Sequence, residues 1–140
     1  ETVTSRLSAT NERSLIGNFH PQFGAVHPYL ATVWNAAYAG INRANSVLAR
    51  VPDVEMNPTR RDQILGEAKF LRAMHYYWLA GLFGGVPLKL DETQSIETEP
   101  MARATAAETY AQIAKDLTEA AAVLPNGWPT ADFGRATKGA

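Results

Sequence analysis

The chain of 140 residues carries 13 Lys and Arg against 14 Asp and Glu, with 46% hydrophobic residues and no cysteine. This length and apolar content are typical of one globular domain that builds its core without a disulfide or a structural metal. The missing cysteines exclude disulfide frameworks and thiolate zinc sites. The near-neutral charge argues against a nucleic-acid partner, and a 19% charged fraction is too low for a disordered chain.

The first part of the chain, residues 1–28, is predicted to be mostly loop. It shows no sustained hydrophobic period, and prolines after His20 and His27 disfavour helical geometry at those two residues. At most a helical turn is expected near residues 11–16. From Tyr29 onward, apolar residues recur every three or four positions and predict a helix that ends near Arg50, with a face made of Trp34, Ala37, Tyr38, Ile41, Ala44, Asn45 and Leu48.

A second helix is predicted to start at Asn57-Pro58, an N-cap followed by proline at the first helical position. Gly84 is predicted to end it. Residues 29–84 therefore form a first helical hairpin. The later half of the second helix is apolar nearly all round, so we expect it to be buried between neighbours, with one stripe at Ile64, Ala68, Leu71, His75, Trp78 and Leu82 and the next at Phe70, Met74, Tyr77 and Gly81.

Residues 85–104 are predicted to be a long connection, and residues 105–140 a third helix with the start of a fourth. Thr105 and Glu108 have capping-box spacing, and Thr137 resembles a further N-cap. The third helix is expected to pack through Tyr110, Ile113, Leu117, Ala121 and Leu124. The pattern predicts an all-α fold of irregular tetratricopeptide-like helical hairpins with long loops, and we expect the chain to be part of a larger protein.

Residues with catalytic or metal-binding chemistry form no recognisable site. The histidines at 20, 27 and 75 lack the spacing of zinc ligands, so we expect no metal, no cofactor and no catalytic residue. Glu67 and Arg72 lie in a mainly apolar helix, where paired structural charges are more common than a catalytic carboxylate. Asp116 is predicted to face outward, either solvated or paired across helices.

One stretch has an unusual composition, because residues 14–42 contain no charged side chain yet mix amides and histidines with aromatic rings. Planar polar groups beside aromatic faces suit an uncharged polyhydroxylated ligand. The alternative is a loop whose aromatics plug the end of the helical layer. The same two interpretations apply to Trp128 and Phe133, since an exposed ring would bind and a buried ring would fix its loop.

Several short motifs, taken together in order and spacing, resemble the SusD/RagB family of Bacteroidetes outer-membrane nutrient-binding lipoproteins. The resemblance runs from about residue 34 to residue 140 and covers the N-terminal portion of the family without its lipidated cysteine. The motifs are Trp34-x-x-x-Tyr38-x-x-Ile41, Gly66-Glu67-Ala68-x-Phe70-Leu71-Arg72-Ala73, Phe83-Gly84-Gly85-Val86-Pro87-Leu88, Tyr110-x-x-Ile113-x-x-Asp116-Leu117, and Gly134-Arg135-Ala136-Thr137-Lys138.

The resemblance implies an α-helical protein without catalysis, held at the extracellular face of the outer membrane by a lipid anchor outside this fragment. It implies a glycan or other nutrient as ligand and a TonB-dependent, SusC-like transporter as partner. In the family, loops outside the repeats tend to form the ligand site, including the segment before the first helix. On that basis the candidate ligand-binding residues are Asn18, Phe19, His20, Phe23 and Tyr29.

A second hypothesis is a helical-repeat module that binds a protein or peptide and has no small-molecule site. Exposed aromatics in residues 18–29 would favour the glycan hypothesis. A broad exposed helical face, with those aromatics buried, would favour the module.

Overall fold

A computed structural model of the protein describes residues 28–93 and 101–140, and these ranges contain helices and turns but no β-strand. The all-α prediction is therefore confirmed. None of the helices in the described ranges has the length and apolar character needed to cross a membrane. In chain order, the α-helices are α1 (Pro28–Arg50), α2 (Pro58–Phe83) and α3 (Ala106–Val123), with short 3-10 turns at Val51–Asp53 and Thr130–Asp132.

The chain divides into two compact units, residues 1–36 and residues 37–140. Of the first unit, the structure describes residues 28–36, which form the beginning of α1; there the Thr32 hydroxyl donates to the Pro28 carbonyl at 2.9 Å. The second unit contains the rest of α1, all of α2 and α3, and the core. The helical turn predicted near residues 11–16 lies outside the described residues.

Local capping signals place the helix ends as the sequence predicts. The Asn57 side chain accepts a hydrogen bond from the Arg60 amide at 3.1 Å, with Pro58 at the first helical position. At the other end of α2, Gly84 has a φ of +72°, which glycine adopts without the strain that a Cβ would bring. Thr105 and Glu108 form the predicted capping box at the start of α3.

The helices α2 and α3 run antiparallel. Near the end of α2, a Cβ on Gly85 would overlap the backbone of residues 104–106, just before α3 begins. In the first half of α2, a Cβ on Gly66 would lie 2.6 Å from the Val123 side chain at the end of α3. Glycine at both positions therefore allows the two chain segments to approach closely.

The helix α1 also packs against α2 in antiparallel fashion, through a contact that needs a glycine. Gly40 lies against His75, whose imidazole Nε2 occupies the place that a Cβ at Gly40 would take. Farther along α1, Ala44 and Val47 share a groove with Ile64 and Ala68 of α2. As predicted, α1 buries the face that contains Ala37, Ile41, Ala44 and Asn45.

Two predictions about helix faces are wrong at several positions. The later half of α2 is not buried on all sides, because Leu71, Tyr77, Trp78 and Leu82 are each about half exposed. Its buried positions are instead Gly66, Ala68, Arg72, Ala73, Tyr76, Leu79 and Ala80. In α3 the predicted face is right for Ile113 and Leu124, which are buried, and wrong for Tyr110 and Leu117, which are exposed. The other buried positions of α3 are Thr109, Asp116 and Ala120.

The last residues of the chain form turns that pack back on the end of α3. The Lys138 amide donates to the Pro125 carbonyl at 2.8 Å, and the Ala140 amide to the Thr137 carbonyl at 3.2 Å. A fourth helix from Thr137, and with it the division into regions 1–28, 29–84, 85–104 and 105–140, stays a prediction.

Candidate functional site

A buried arginine links all three helices. The Arg72 guanidinium of α2 donates two hydrogen bonds of 2.8 Å to the Asp116 carboxylate of α3 and one of 2.8 Å to the Asn45 side chain of α1. Burial alone would lower the pKa of Arg72, but the hydrogen bond and charge of Asp116 hold that pKa above its ordinary value. Asp116 is 1% exposed. The predicted pairing across helices is therefore confirmed, whereas the predicted outward orientation of Asp116 is wrong.

The same cluster holds residues 86–93, which we call the strap. The Asn45 amide donates to the Lys89 and Asp91 carbonyls at 3.0 and 2.9 Å, and Arg72 donates to the Leu90 carbonyl at 3.2 Å. The Asn42 side chain accepts from the Thr93 amide at 2.8 Å. Helix side chains therefore supply the hydrogen bonds that a β-sheet partner would otherwise give to the extended strap.

Two tyrosine hydroxyls complete the contacts to the strap. Tyr38 donates to the Pro87 carbonyl at 2.7 Å and Tyr76 to the Lys89 carbonyl at 2.9 Å, with their rings edge to face at 6.5 Å. Burial raises the pKa of Tyr38 to about 12 and also raises that of Tyr76. Both hydroxyls therefore stay protonated and act as donors.

The connection between α2 and α3 is closed at its base. The Ala104 amide donates to the Val86 carbonyl at 3.2 Å, and the Arg103 guanidinium donates to the Phe83 and Gly85 carbonyls. Arginine at this place satisfies carbonyls that the C-terminal turn of α2 leaves unpaired. The two ends of residues 86–104 are thereby held together.

A second charged cluster fixes the loop after α3, residues 125–137, which we call the C-terminal loop. Arg135 donates to both carboxylate oxygens of Glu67 in α2, at 2.7 and 2.5 Å, and to Asp132 at 3.0 Å. Its guanidinium lies 4.2 Å from the centre of the Trp128 ring, whose Nε1 donates to the Ala136 carbonyl at 2.7 Å. Glu67 is therefore a paired structural charge, as predicted.

The two aromatic residues of the C-terminal loop have opposite environments. Trp128 is partly buried under Arg135 and fixes the loop. Phe133 is 93% exposed, more than any other large hydrophobic residue in the described ranges. Of the two interpretations that the sequence left open, the structure favours a fixing role for Trp128 and leaves the Phe133 ring available for binding.

Only one of the candidate ligand-binding residues lies within the described ranges. Tyr29, in the first turn of α1, is 45% exposed. Asn18, Phe19, His20 and Phe23 lie outside the described residues, so their part in a site stays a prediction.

An open groove of about 350 Å³ lies between α1 and α2. Its lining is mainly apolar, with Arg43, Glu67 and His75 as polar members. Burial lowers the pKa of His75, and its buried Nδ1 has no hydrogen-bond partner. Glu67 already binds Arg135, so the groove holds no free carboxylate next to the imidazole. Over the described ranges, no three His, Asp or Glu side chains cluster as metal ligands would.

Comparison with known proteins gives a consistent result. A family model for SusD-like proteins, "Starch-binding associating with outer membrane", matches residues 1–140, the entire sequence. SusD-like protein P2 of Formosa agariphila is 26% identical over 118 residues, which are 84% of this chain and 23% of that protein.

Solved structures show the same arrangement of helices. A laminarin-binding SusD-like protein superposes with a TM-score of 0.73 at 34% identity, over 77% of this chain and 23% of its own. A SusD-like carbohydrate-binding protein from Bacteroides fragilis gives 0.77 at 27% identity, over 82% and 23%. The predicted SusD-like helical fold is therefore confirmed. The chain spans less than a quarter of the length of these relatives.

Proposed function

This chain belongs to the SusD-like family of outer-membrane-associated, carbohydrate-binding proteins, and we propose that it helps to bind a glycan or another nutrient without catalysing a reaction. The observation that carries the proposal is the 34% identity to a laminarin-binding member with the same helix arrangement. The pairing of two charged side chains of α2 supports the absence of catalysis, because the buried Arg72 binds Asp116 and the partly buried Glu67 binds Arg135.

The proposal includes location and partner. The protein would be held by a lipid anchor at the extracellular face of the outer membrane and would deliver its ligand to a SusC-like, TonB-dependent transporter. The family model supports the membrane association through its description. The transporter and the anchor rest on family resemblance.

The proposed site is the uncharged segment before and at the start of α1. Asn18 and His20 would orient sugar hydroxyls, and Phe19, Phe23 and Tyr29 would stack on sugar rings. In support, Tyr29 is 45% exposed and stands at the very start of α1. The 29 positions from Ser14 to Asn42 lack any charge that would oppose an uncharged ligand.

Affinity electrophoresis of the intact protein on gels that contain laminarin, starch or other polysaccharides tests the proposal. A variant with Phe19, Phe23 and Tyr29 changed to Ala tests the site, and Tyr110→Ala, which removes an exposed ring from α3, is its control. We expect retardation of the parent and of the control but not of the triple variant. An unretarded parent across a broad panel contradicts glycan binding, whereas a retarded, folded triple variant contradicts the site alone.

One observation favours the second hypothesis, a protein-binding module. Leu71, Trp78 and Leu82 give α2 an exposed apolar face, and Tyr77 is exposed on the neighbouring stripe. Exposed apolar faces mark interaction surfaces. Under this hypothesis no polysaccharide should retard the parent, and changing Leu71 and Leu82 to Glu should abolish complex formation with a co-expressed SusC-like transporter. A complex that survives both changes would leave this face without a role in binding a partner.

A further inference from the structure

The C-terminal loop presents one aromatic ring almost completely to solvent. Phe133 follows the 3-10 turn Thr130–Asp132 and is 93% exposed. The next most exposed large hydrophobic residue in the described ranges, Tyr77, is 59% exposed and lies on the regular face of α2. Gly134 follows Phe133 with a φ of +92°, and a Cβ there would meet no atom within 4 Å. The neighbour of the ring therefore adds no side chain that could cover it.

The loop that carries this ring is held in place at several points. The Asp132, Phe133 and Arg135 amides donate to the Pro129, Thr130 and Asp132 carbonyls at 2.8, 3.3 and 3.3 Å. Arg135 then joins the loop to Glu67 of α2 and to the Trp128 ring. Binding to such a loop orders little that is not already ordered, which lowers the entropic cost of association.

The charges beside the ring compensate one another. Arg135 pairs with both Asp132 and Glu67. The Arg60 guanidinium lies 5.7 Å from the centre of the Trp128 ring in the same loop. Two cations and two carboxylates thus leave no net charge in the cluster. An uncharged partner therefore meets no net charge of either sign in this cluster.

We propose that Phe133 is a stacking platform for an extended, uncharged glycan chain, outside the segment of residues 18–29. The inference rests on the proposed function and deepens it. A single ring that protrudes from a loop cannot enclose a small sugar, since small-ligand sites are concave. It can stack on one sugar unit of a polymer that lies across the surface, so its contribution should depend on the length of the glycan.

The test uses the intact protein with Phe133→Ala, Phe133→Tyr and the control Tyr77→Ala. Affinity electrophoresis measures binding to laminarin and starch, and calorimetry measures binding to oligosaccharides of two to four units from the same polymers. We expect Phe133→Ala to weaken polymer binding about fivefold, as loss of one aromatic stacking contact does. Phe133→Tyr and Tyr77→Ala should bind as the parent does, and short-oligosaccharide binding should not change.

Three results would overturn the inference but not the proposed function. Polymer binding by Phe133→Ala within twofold of the parent would show that the ring does not touch the glycan. An equal loss in Tyr77→Ala would show a general effect of exposed rings. Weakened association of Phe133→Ala with a co-expressed transporter, with glycan binding intact, would assign the ring to a protein interface. A parent that binds no polymer refutes the proposed function itself and this inference with it, so the two failures are distinguishable.

Discussion

Replacing Asp116 with asparagine should destabilise the protein by about 3 kcal/mol, although the side chain keeps its shape. The change removes the carboxylate bound to Arg72 and leaves this residue, which is 7% exposed, without an opposite charge. Loss of one partner from a buried ion pair costs about 3–5 kcal/mol. We expect the lower end, because Arg72 retains the Asn45 side chain and the Leu90 carbonyl as acceptors.

Urea unfolding followed by circular dichroism measures this loss. With a slope of about 2 kcal/mol per molar urea, a 3 kcal/mol loss lowers the midpoint by roughly 1.5 M. The control is Glu92→Gln, which breaks the pair with Arg50; the Glu92 side chain is 11% exposed, but the Arg50 side chain is 73% exposed, so the change leaves no buried charge without a partner. Pairs with a solvated member add little to stability, so we expect a much smaller shift for the control.

A double variant identifies the origin of the cost. Changing Arg72 to Met and Asp116 to Leu removes both charges and fills the space with apolar atoms, which for buried pairs is often neutral or stabilising. Part of the lost stability should therefore return, since the Asn45 side chain and the Leu90 carbonyl still lose the Arg72 donor. If Asp116→Asn shifts the midpoint no more than Glu92→Gln does, the cluster around Arg72 contributes nothing specific and our account of the core is wrong.

Three further predictions concern single side chains. Burial lowers the pKa of His75 in the folded state, so the neutral imidazole stabilises the fold fully above the unfolded pKa of about 6.5, and this contribution is lost as the pH falls below that value. The free energy of unfolding, measured with denaturant, should therefore fall less between pH 7 and pH 5 in His75→Gln than in the parent. Equal falls in the two proteins would contradict this. Gly40→Ala should destabilise the protein by about 1–3 kcal/mol because the added Cβ overlaps the His75 ring. The control Gly81→Ala, where a Cβ on α2 meets open space, should not destabilise it. Equal melting temperatures for the two variants would refute the contact between Gly40 and His75. Thr105→Ala should destabilise the protein by about 1 kcal/mol because the capping box is lost. Thermal unfolding measures this, with Thr118→Ala as the control because it removes an exposed hydroxyl within α3. An effect no larger than that of the control would show that the cap is dispensable.

Helix positions could be predicted from the sequence because their signals are local. The side chain of Asn57, the φ of Gly84 and the Thr105–Glu108 pair each act within one turn of the helix they limit. Predicted and observed ends agree to within about a residue, with α1 beginning at Pro28 instead of Tyr29. No long-range information is needed for such contacts.

Helix faces were harder to predict because distant residues decide them. In α3, apolar Tyr110 and Leu117 define one face by hydrophobicity, yet the core contains Asp116 because Arg72, 44 residues earlier, needs its carboxylate. A signal was present, since Asp116 is spaced three and four residues from Ile113 and Ala120. Nothing local, however, distinguishes a buried Asp from a solvated one.

The site is the least predictable part because its chemistry is generic. Aromatic rings and amides in residues 14–42 allow a glycan platform or a plugged loop, and the exposure of Tyr29 alone does not separate them. For Phe133 the deciding quantity was exposure, which depends on Arg135 and Glu67 holding the loop in place.

The residues that carry the family resemblance and the candidate binding residues occupy different places. Arg72 and Asp116 join helices, Glu67 and Arg135 join α2 to the C-terminal loop, and Gly85 allows the backbone to approach closely. Each is constrained by a partner elsewhere in the chain, so a change at one requires a change at the other. A loop ring such as Phe133 has no such partner, and it can be replaced without disturbing the core. A scaffold of this kind keeps its fold while its ligand changes, which explains how solved relatives at 27–34% identity share these helices.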